Sequence, residues 1–219
     1  MLLEVREMGW EATARTAYGG VVDAIALLLG QHARLHSAAV AATEADSLED
    51  SLIEGVGEAD LRAASVPGLN PPAWIWWHVA RTEDALMHAV VAGDTQVFDA
   101  DGWSARLGVE RRDIGTGMDR TEVAALAGSI DLAALRVYRA AVGAATRAYV
   151  EGLGASDLDR IVGPEGVERA REQGALGPRA AWVGDVWQGT TLGFLLGRNL
   201  LTHNAMHVGE VIISGPMDI

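Results

Sequence analysis

The sequence contains neither cysteine nor lysine, and each absence excludes a class of chemistry. Among its 219 residues there is no cysteine, so the chain offers no disulfide, no thiolate ligand for a metal and no cysteine nucleophile. All 17 basic residues are arginine, and a Schiff base on a protein lysine is therefore excluded. A reaction that needs a thiol must receive it from a second substrate.

Positive charge is scarce as well, and so are long apolar runs. The formal net charge is -13, and such a field repels a polyanion, which argues against binding of nucleic acid. No run reaches the roughly 18 apolar residues of a membrane-spanning helix. Glu4, Arg6 and Glu7 interrupt the apolar core that a signal peptide would need. We therefore expect a cytoplasmic protein without nucleic-acid or membrane partners.

Helical periodicity is abundant. Hydrophobic residues make up 49% of the chain, and four segments place them at the spacings of three and four that are typical of amphipathic helices. These segments lie at about 13–44, 72–92, 121–150 and 185–214. The connections between them, rich in Gly, Asp and Pro, are 46–70, 93–120 and 152–183. Because alternating strand patterns are missing, we predict one all-α domain over residues 1–219 with long inter-helix connections.

Three glycines recur at four-residue intervals in the fourth segment: Gly189, Gly193 and Gly197. Each costs about 1 kcal/mol of helix propensity relative to alanine, so a compensating close approach of another helix is expected along this face. A membrane packing seam is the rival interpretation, but Arg198 and His203 interrupt the apolar run. The glycine face instead favours a homodimer.

Two histidines near the end of the chain are spaced for one metal ion. His203 and His207 are four residues apart, so on a helix they lie about 40° apart on one face. A pair of hydrogen-bonded core histidines is the alternative interpretation. His78 lies among apolar and aromatic residues of the second segment and should face the core. Three imidazoles meeting between helices would suit zinc, nickel, iron or manganese and leave positions open for water and substrate.

The strings around these histidines resemble a known family. WWHVARTED around His78, HNAMHVGE from His203 to Glu210, and the loop from Gly102 to Gly108 are similar to the DinB-like superfamily. That superfamily includes mycothiol-dependent maleylpyruvate isomerases and bacillithiol S-transferases. The resemblance covers about 18–214 and implies a four-helix bundle whose second helix supplies one metal ligand and whose fourth supplies two, here His78, His203 and His207.

The sequence departs from this family at two places. Relatives often carry Gln where this chain has Glu210, and the segment 159–178 matches nothing in the family. Glu210 lies three residues after the last histidine, so it could act as a general base on water or a thiol, or be a solvated or dimer-facing carboxylate. The substrate stays open.

Two residues on the second helix are candidates for substrate binding. Trp74 and Arg81 lie four residues before and three after His78, so Trp74 could wall the pocket and Arg81 could bind a substrate carboxylate. An ion pair between Arg81 and a nearby acid, such as Glu83 or Asp84, is the alternative.

A second histidine pair competes for the metal. His32 and His36 are also four residues apart and continue the apolar stripe of the first helix. They could join the metal site or form another. As hydrogen-bonded core groups or pocket-lining side chains they would need no metal.

Together these features predict a divalent-metal-dependent enzyme that acts on a small electrophile. Arginine in place of lysine, with abundant Ala and Gly, indicates a GC-rich genome, and the resemblance then implies mycothiol as the co-substrate of an S-transferase or isomerase. A metal-dependent hydrolase would use the same ion with water. A non-catalytic, dimeric metal-binding protein acting in stress or binding is the third hypothesis.

Overall fold

Helices form nearly all of the regular structure. The computed structural model describes residues 23–41 and 47–214. Within these two ranges the chain has helices of three kinds and no strand, and an isolated antiparallel bridge joins Ile161 to Thr191. The predicted all-α class is confirmed.

The α-helices are numbered along the described chain. They are α1 (Ala24–Leu35), α2 (Ala38–Ala41), α3 (Leu48–Ile53), α4 (Glu58–Arg62), α5 (Pro72–Asp84), α6 (Trp103–Leu107), α7 (Arg120–Ser129), α8 (Leu132–Glu151), α9 (Pro164–Glu172), α10 (Ala181–Trp187), α11 (Leu192–Leu196) and α12 (Asn204–Ser214). Two π-helical segments, Ala85–Ala92 and Gly197–His203, continue α5 and α11. Short 3-10 helices lie in the connections at Val97–Asp99, Ala155–Asp159 and Pro178–Ala180.

Four long elements form a bundle. They are α1, α5 with its π-helical continuation, α8, and the run from α11 to α12. Helix α8 packs between α1 and α5, while the α11–α12 run packs against α5 and α1 and so closes the ring. The four-helix bundle expected from the family resemblance is confirmed. None of the helices in residues 23–41 and 47–214 is long and apolar enough to cross a membrane.

The bundle has two apolar cores separated by a polar layer on α5. The first half of α5, from Ala73 to Ala80, packs into one core with α6, α7 and α8. The π-helical continuation packs into the other, with α9 and α11. Between them, the four residues from Arg81 to Asp84 are all polar and all buried. Because buried charges are costly unless they are paired, this layer must be satisfied internally.

Three of the four predicted long helices are interrupted. In two of them a side chain caps the N-terminus of the helix that follows the break. The first ends at Leu35, and the extended backbone of His36 precedes α2; residues 13–22 and 42–44 lie outside the described residues. The third divides at Asp131, whose carboxylate accepts the Ala134 N–H and begins α8. The fourth divides after α10 and resumes at Thr191, which caps α11.

The predicted glycine face is only partly correct. Gly189 has a φ of +72° and lies in the break before α11, so it is not helical. A Cβ on Gly193 would lie 3.1 Å from Cβ of Leu158, which shows a close approach, but to the turn Ala155–Asp159. A Cβ on Gly197 would meet nothing described within 4 Å. Of the three glycines, Gly193 alone allows a close approach, and that approach is to another part of the same chain and not to a second copy.

The long connections hold short helices, and one of these helices covers the bundle. Segment 159–178 contains α9, which packs along the π-helical segment Ala85–Ala92. The approach is so close that a Cβ on Gly166 would lie 2.4 Å from the Val90 carbonyl oxygen. This segment, which resembles nothing in the family, is thus part of the second apolar core.

Candidate metal centre

Three histidines from two long elements converge inside the bundle. His78 lies in the middle of α5, His203 ends the π-helical segment Gly197–His203, and His207 lies one turn later in α12. One ring nitrogen from each lies within 4.8 Å of the other two. The Nε2 atoms of His78 and His203 are 3.3 Å apart. The fold therefore brings together residues that are separated by more than a hundred positions in sequence.

Hydrogen bonds on the far side of two rings direct their Nε2 atoms inward. The Nδ1–H of His78 donates to the Ile114 carbonyl oxygen at 2.5 Å. The Nδ1–H of His207 donates to Glu210 Oε2 at 2.9 Å. With the proton on Nδ1, Nε2 carries a lone pair. This is the arrangement that carbonyl and carboxylate partners impose on histidine ligands of metals.

The donor set fits a divalent cation. Two nitrogens bound at about 2.1 Å to a tetrahedral ion would be about 3.4 Å apart, close to the 3.3 Å between the Nε2 atoms of His78 and His203. Burial, aided by the neighbouring histidines, lowers the pKa of His78 to about 4 and that of His203 to about 2. Both imidazoles are therefore neutral near pH 7, as metal ligands must be. Three nitrogen donors leave at least one coordination position for another ligand.

Glu210 is held against the site by both of its oxygens. One oxygen accepts the His207 N–H, and the other accepts from Asn70 through the side-chain amide at 2.9 Å and the backbone N–H at 3.3 Å. Burial opposes ionisation, but the hydrogen bonds to His207 and Asn70 prevail and lower the pKa of Glu210. This arrangement favours a carboxylate that orients His207 over the general base predicted from the sequence.

Trp74 contacts the site through His78. The two rings stack with centroids 4.9 Å apart and planes 6° from parallel. The indole N–H of Trp74 donates to the sulfur of Met118 at 3.3 Å. Trp74 therefore fixes one face of the His78 ring, and its contact with a substrate stays a prediction.

Of the two roles considered for Arg81, the structure shows the ion pair with Asp84 and leaves no donor for a substrate carboxylate. Arg81 is fully buried, and its five N–H groups all have acceptors inside the protein. Its Nη1 donates to Asp84 at 2.8 Å and to the Tyr138 hydroxyl at 2.7 Å. Its Nη2 donates to Gln96 at 2.7 Å and to the Arg112 carbonyl, which also accepts from Nε. No donor of Arg81 remains for a ligand. Arg81 is therefore a structural member of the polar layer that separates the two cores.

A second cluster joins His32 and His36 to Glu83. The Nε2 atoms lie 2.9 and 2.8 Å from the two carboxylate oxygens, and all three side chains are buried. These groups are close enough together to hold a metal, but hydrogen bonds from two imidazole N–H groups to one carboxylate explain the distances equally well. Burial opposes ionisation of Glu83, yet the two histidines lower its pKa well below the usual value. Sequence reasoning missed Glu83 as the partner of this pair.

A cavity of about 260 Å³ opens beside the three-histidine cluster. His78 and His203 form part of its wall. The other lining side chains are hydroxyls, apolar and aromatic groups, one amide and one guanidinium: Thr82, Ile114, Thr116, Trp182, Val183, Val186, Trp187, Arg198, Asn199, Thr202 and Met206. A concave, largely apolar space with a few polar groups next to candidate ligands is the usual setting of a small-molecule site.

Comparisons with known proteins agree with this architecture. The family model of the DinB superfamily matches residues 48–211. The crystal structure of a conserved protein from Enterococcus faecalis superposes with a TM-score of 0.51 at 16% identity, over 87% of this chain and 94% of that one, a similarity of fold alone. A comparison with curated proteins gives no significant match. Because the family model spans more than half of the sequence, the chain belongs to the DinB superfamily.

Proposed function

We propose that the protein is a divalent-metal-dependent enzyme whose three protein ligands are His78, His203 and His207. The observation that carries the proposal is the convergence of one nitrogen from each ring within 4.8 Å at the edge of a cavity. Glu210 and the Ile114 carbonyl support it, since both hold ligand rings by their outer nitrogens.

We further propose that a low-molecular-weight thiol such as mycothiol is the nucleophile. A divalent ion with an open position lowers the pKa of a thiol or water molecule bound to it. The chain has no cysteine, so the thiol must enter the cavity from outside. In this scheme the protein orients the thiol and a small electrophile for S-transfer or isomerisation. The buried side chain of Trp187 lines the cavity and helps to exclude water from it.

Cobalt substitution tests the metal and the thiol in one protein. Fully loaded cobalt protein should develop a thiolate-to-metal charge-transfer band when mycothiol or N-acetylcysteine is added. His203→Ala should lose both the cobalt and the band. His88→Gln is the matched control, because His88 lies outside the three-histidine cluster, and it should keep both.

The outcome also separates this proposal from its rivals. If loaded protein shows no spectral change with either thiol, thiol transfer is ruled out, and hydrolysis of a test ester by the same preparation becomes the function to measure. If His203→Ala binds as much cobalt as the wild-type protein, the three-histidine site itself is wrong. Metal binding without turnover of electrophile or ester would support the non-catalytic hypothesis.

The homodimer stays a prediction with one structural feature behind it. Helix α12 exposes Met206, Ile212 and Ile213, with exposed fractions of 65%, 48% and 53%. Apolar side chains grouped on one helix are typical of a surface that a partner covers. The mass of the protein in solution, measured by light scattering, tests it.

A further inference from the structure

An Asp–Gly step lies at the start of α6, and the sequence has no other Asp–Gly or Asn–Gly step. It is Asp101–Gly102, directly before Trp103, the first residue of that helix. Both residues of the step are exposed. At such a step the side-chain carboxyl group lies close to the next amide nitrogen, and glycine has no Cβ to hinder their approach. This bond is therefore the place where the backbone of the chain can rearrange most readily.

The two groups that would react have no other partner in the structure. Within residues 23–41 and 47–214, the Asp101 carboxylate makes no hydrogen bond or ion pair, and the Gly102 N–H has no acceptor. By contrast, Asp119 and Asp131 precede α7 and α8 and accept backbone N–H groups of those helices. A Cβ on Gly102 would meet nothing described within 4 Å. There is thus room beside the bond for a succinimide ring.

The backbone conformation at Asp101 favours the rearrangement as well. Asp101 has a φ of +51° and is the one non-glycine residue with a positive φ in the part of the chain that the structure describes. This region is disfavoured for an L-residue, because its Cβ crowds the backbone. Gly102, with a φ of +66°, has no such cost. In an isoaspartyl residue the side-chain methylene becomes part of the backbone, so the crowding at Asp101 is relieved.

We propose that Asp101–Gly102 is a site of spontaneous isoaspartate formation. The Gly102 nitrogen attacks Cγ of Asp101, and the amide proton leaves with the carboxyl hydroxyl group as water. Water then adds to the main-chain carbonyl carbon of Asp101 in the succinimide and breaks its bond to the Gly102 nitrogen. The chain now continues through Cγ, and the former main-chain carbonyl is a free carboxylate. One water is lost and one is gained, so the rearrangement needs no other reactant.

The extra backbone carbon enters the chain directly before a buried side chain. Trp103 is 3% exposed, and its ring centroid lies 5.2 Å from that of Tyr138. The Tyr138 hydroxyl in turn donates to Asp84 in the polar layer at 2.6 Å. Because the core is densely packed, a longer connection before α6 displaces Trp103 at a cost in stability. The rearranged protein should therefore melt at a lower temperature. The inference is independent of the proposed function, since it involves no metal.

Ageing of the whole protein at pH 7 tests the inference. Trypsin then releases the peptide 82–106, which contains both Asp101 and Asp94. Isoaspartate leaves the mass of the peptide unchanged but alters its retention in chromatography, and electron-transfer fragmentation locates it. It should accumulate at Asp101 and not at Asp94, which is also exposed but is followed by the β-branched Thr95. Methylation of the intact protein by an isoaspartyl methyltransferase should rise in parallel.

Two variants bracket the reaction. Asp101→Glu keeps the charge but can close only a larger, slower ring, so isoaspartate at this position should be lost. Asp101→Asn should rearrange faster than the wild-type protein, because ammonia leaves more readily, and the exchange of ammonia for water raises its mass. Asp94→Glu is the matched control and should leave isoaspartate formation at Asp101 unchanged.

Several results would overturn the inference. One is native protein with no more isoaspartate at Asp101 than at Asp94, and another is Asp101→Asn protein that keeps its amide over the same time. Isoaspartate that forms only in urea-unfolded protein would mean that the folded loop protects the bond, which also overturns it. Equal melting temperatures of fresh and rearranged protein would refute the displacement of Trp103.

Discussion

Replacing Asp84 with asparagine should lower the free energy of unfolding by about 3 to 5 kcal/mol, the cost of leaving one partner of a buried ion pair unpaired. The Asp84 carboxylate is fully buried and accepts four hydrogen bonds. The donors are Nη1 of Arg81, the Tyr138 hydroxyl at 2.6 Å, and the backbone N–H groups of Val97 and Phe98 at 2.8 and 2.9 Å.

The magnitude follows from what asparagine can and cannot supply there. Asparagine keeps the volume of the side chain but turns one oxygen into an amide that donates, so it would point hydrogens at existing donors. It also removes the negative charge that faces the fully buried Arg81. Both effects act where water cannot compensate, and each by itself exceeds the worth of an exposed ion pair.

The control is an ion pair on the surface of the same bundle. Glu58 and Arg62 are 2.7 Å apart on α4, and the Glu58 side chain is 69% exposed. Glu58→Gln should therefore cost no more than about 1 kcal/mol. Urea unfolding of both variants at pH 7, without metal, gives the two free energies. A loss for Asp84→Asn no larger than that for Glu58→Gln would refute the account of a charged, buried network.

Three further predictions concern the candidate metal centre, the second histidine cluster and the packing of α9. Glu210→Gln should weaken metal binding about 10- to 100-fold by loosening the His207 ring, as chelator competition would show; unchanged affinity with a large loss of turnover would instead support a general base. Replacing His32 and His36 together with Gln should leave the metal stoichiometry of the folded protein unchanged, and metal loss would favour the second cluster. Gly166→Ala should destabilise the fold by about 1 to 3 kcal/mol through overpacking, whereas Gly128→Ala, with open space around it, should stabilise its helix by up to about 1 kcal/mol; equal melting temperatures would contradict this.

Local periodicity was enough to predict four helical segments and the all-α class, because it reports which side chains face inward. The arrangement of these helices as a bundle was implied by the family resemblance. The four-residue spacing of His203 and His207 likewise predicts that both reach one point. The interruptions of the long helices were not predicted, although Asp131 and Thr191 are residue types that cap new helices. A capping residue favours a break in the helix, whereas an uninterrupted apolar pattern favours one continuous helix. Tertiary packing determines which of the two forms.

The roles of individual polar residues were harder to predict, since their partners are distant in sequence. Arg81 bonds to Tyr138, and Glu210 to Asn70, across 57 and 140 positions. Glu83 accepts hydrogen bonds from His32 in α1 and from His36 directly after that helix. Sequence spacing identifies neighbours along one helix but carries no information on which side chain of another helix completes a hydrogen bond. For Arg81 that information decides between the two roles that the sequence left open.

The π-helical geometry of Gly197–His203 has a consequence for the cavity wall. Arg198 and His203 are five residues apart, and in a regular α-helix they would point about 140° away from each other. A π-helix bonds residues five apart and brings them to one face, and both side chains line the same cavity. The wider turn thus sets a cation and a metal ligand side by side on a single element. If the same sequence were wound as a regular α-helix, Arg198 and His203 would no longer share a face, so their proximity depends on the π-helical geometry of this segment.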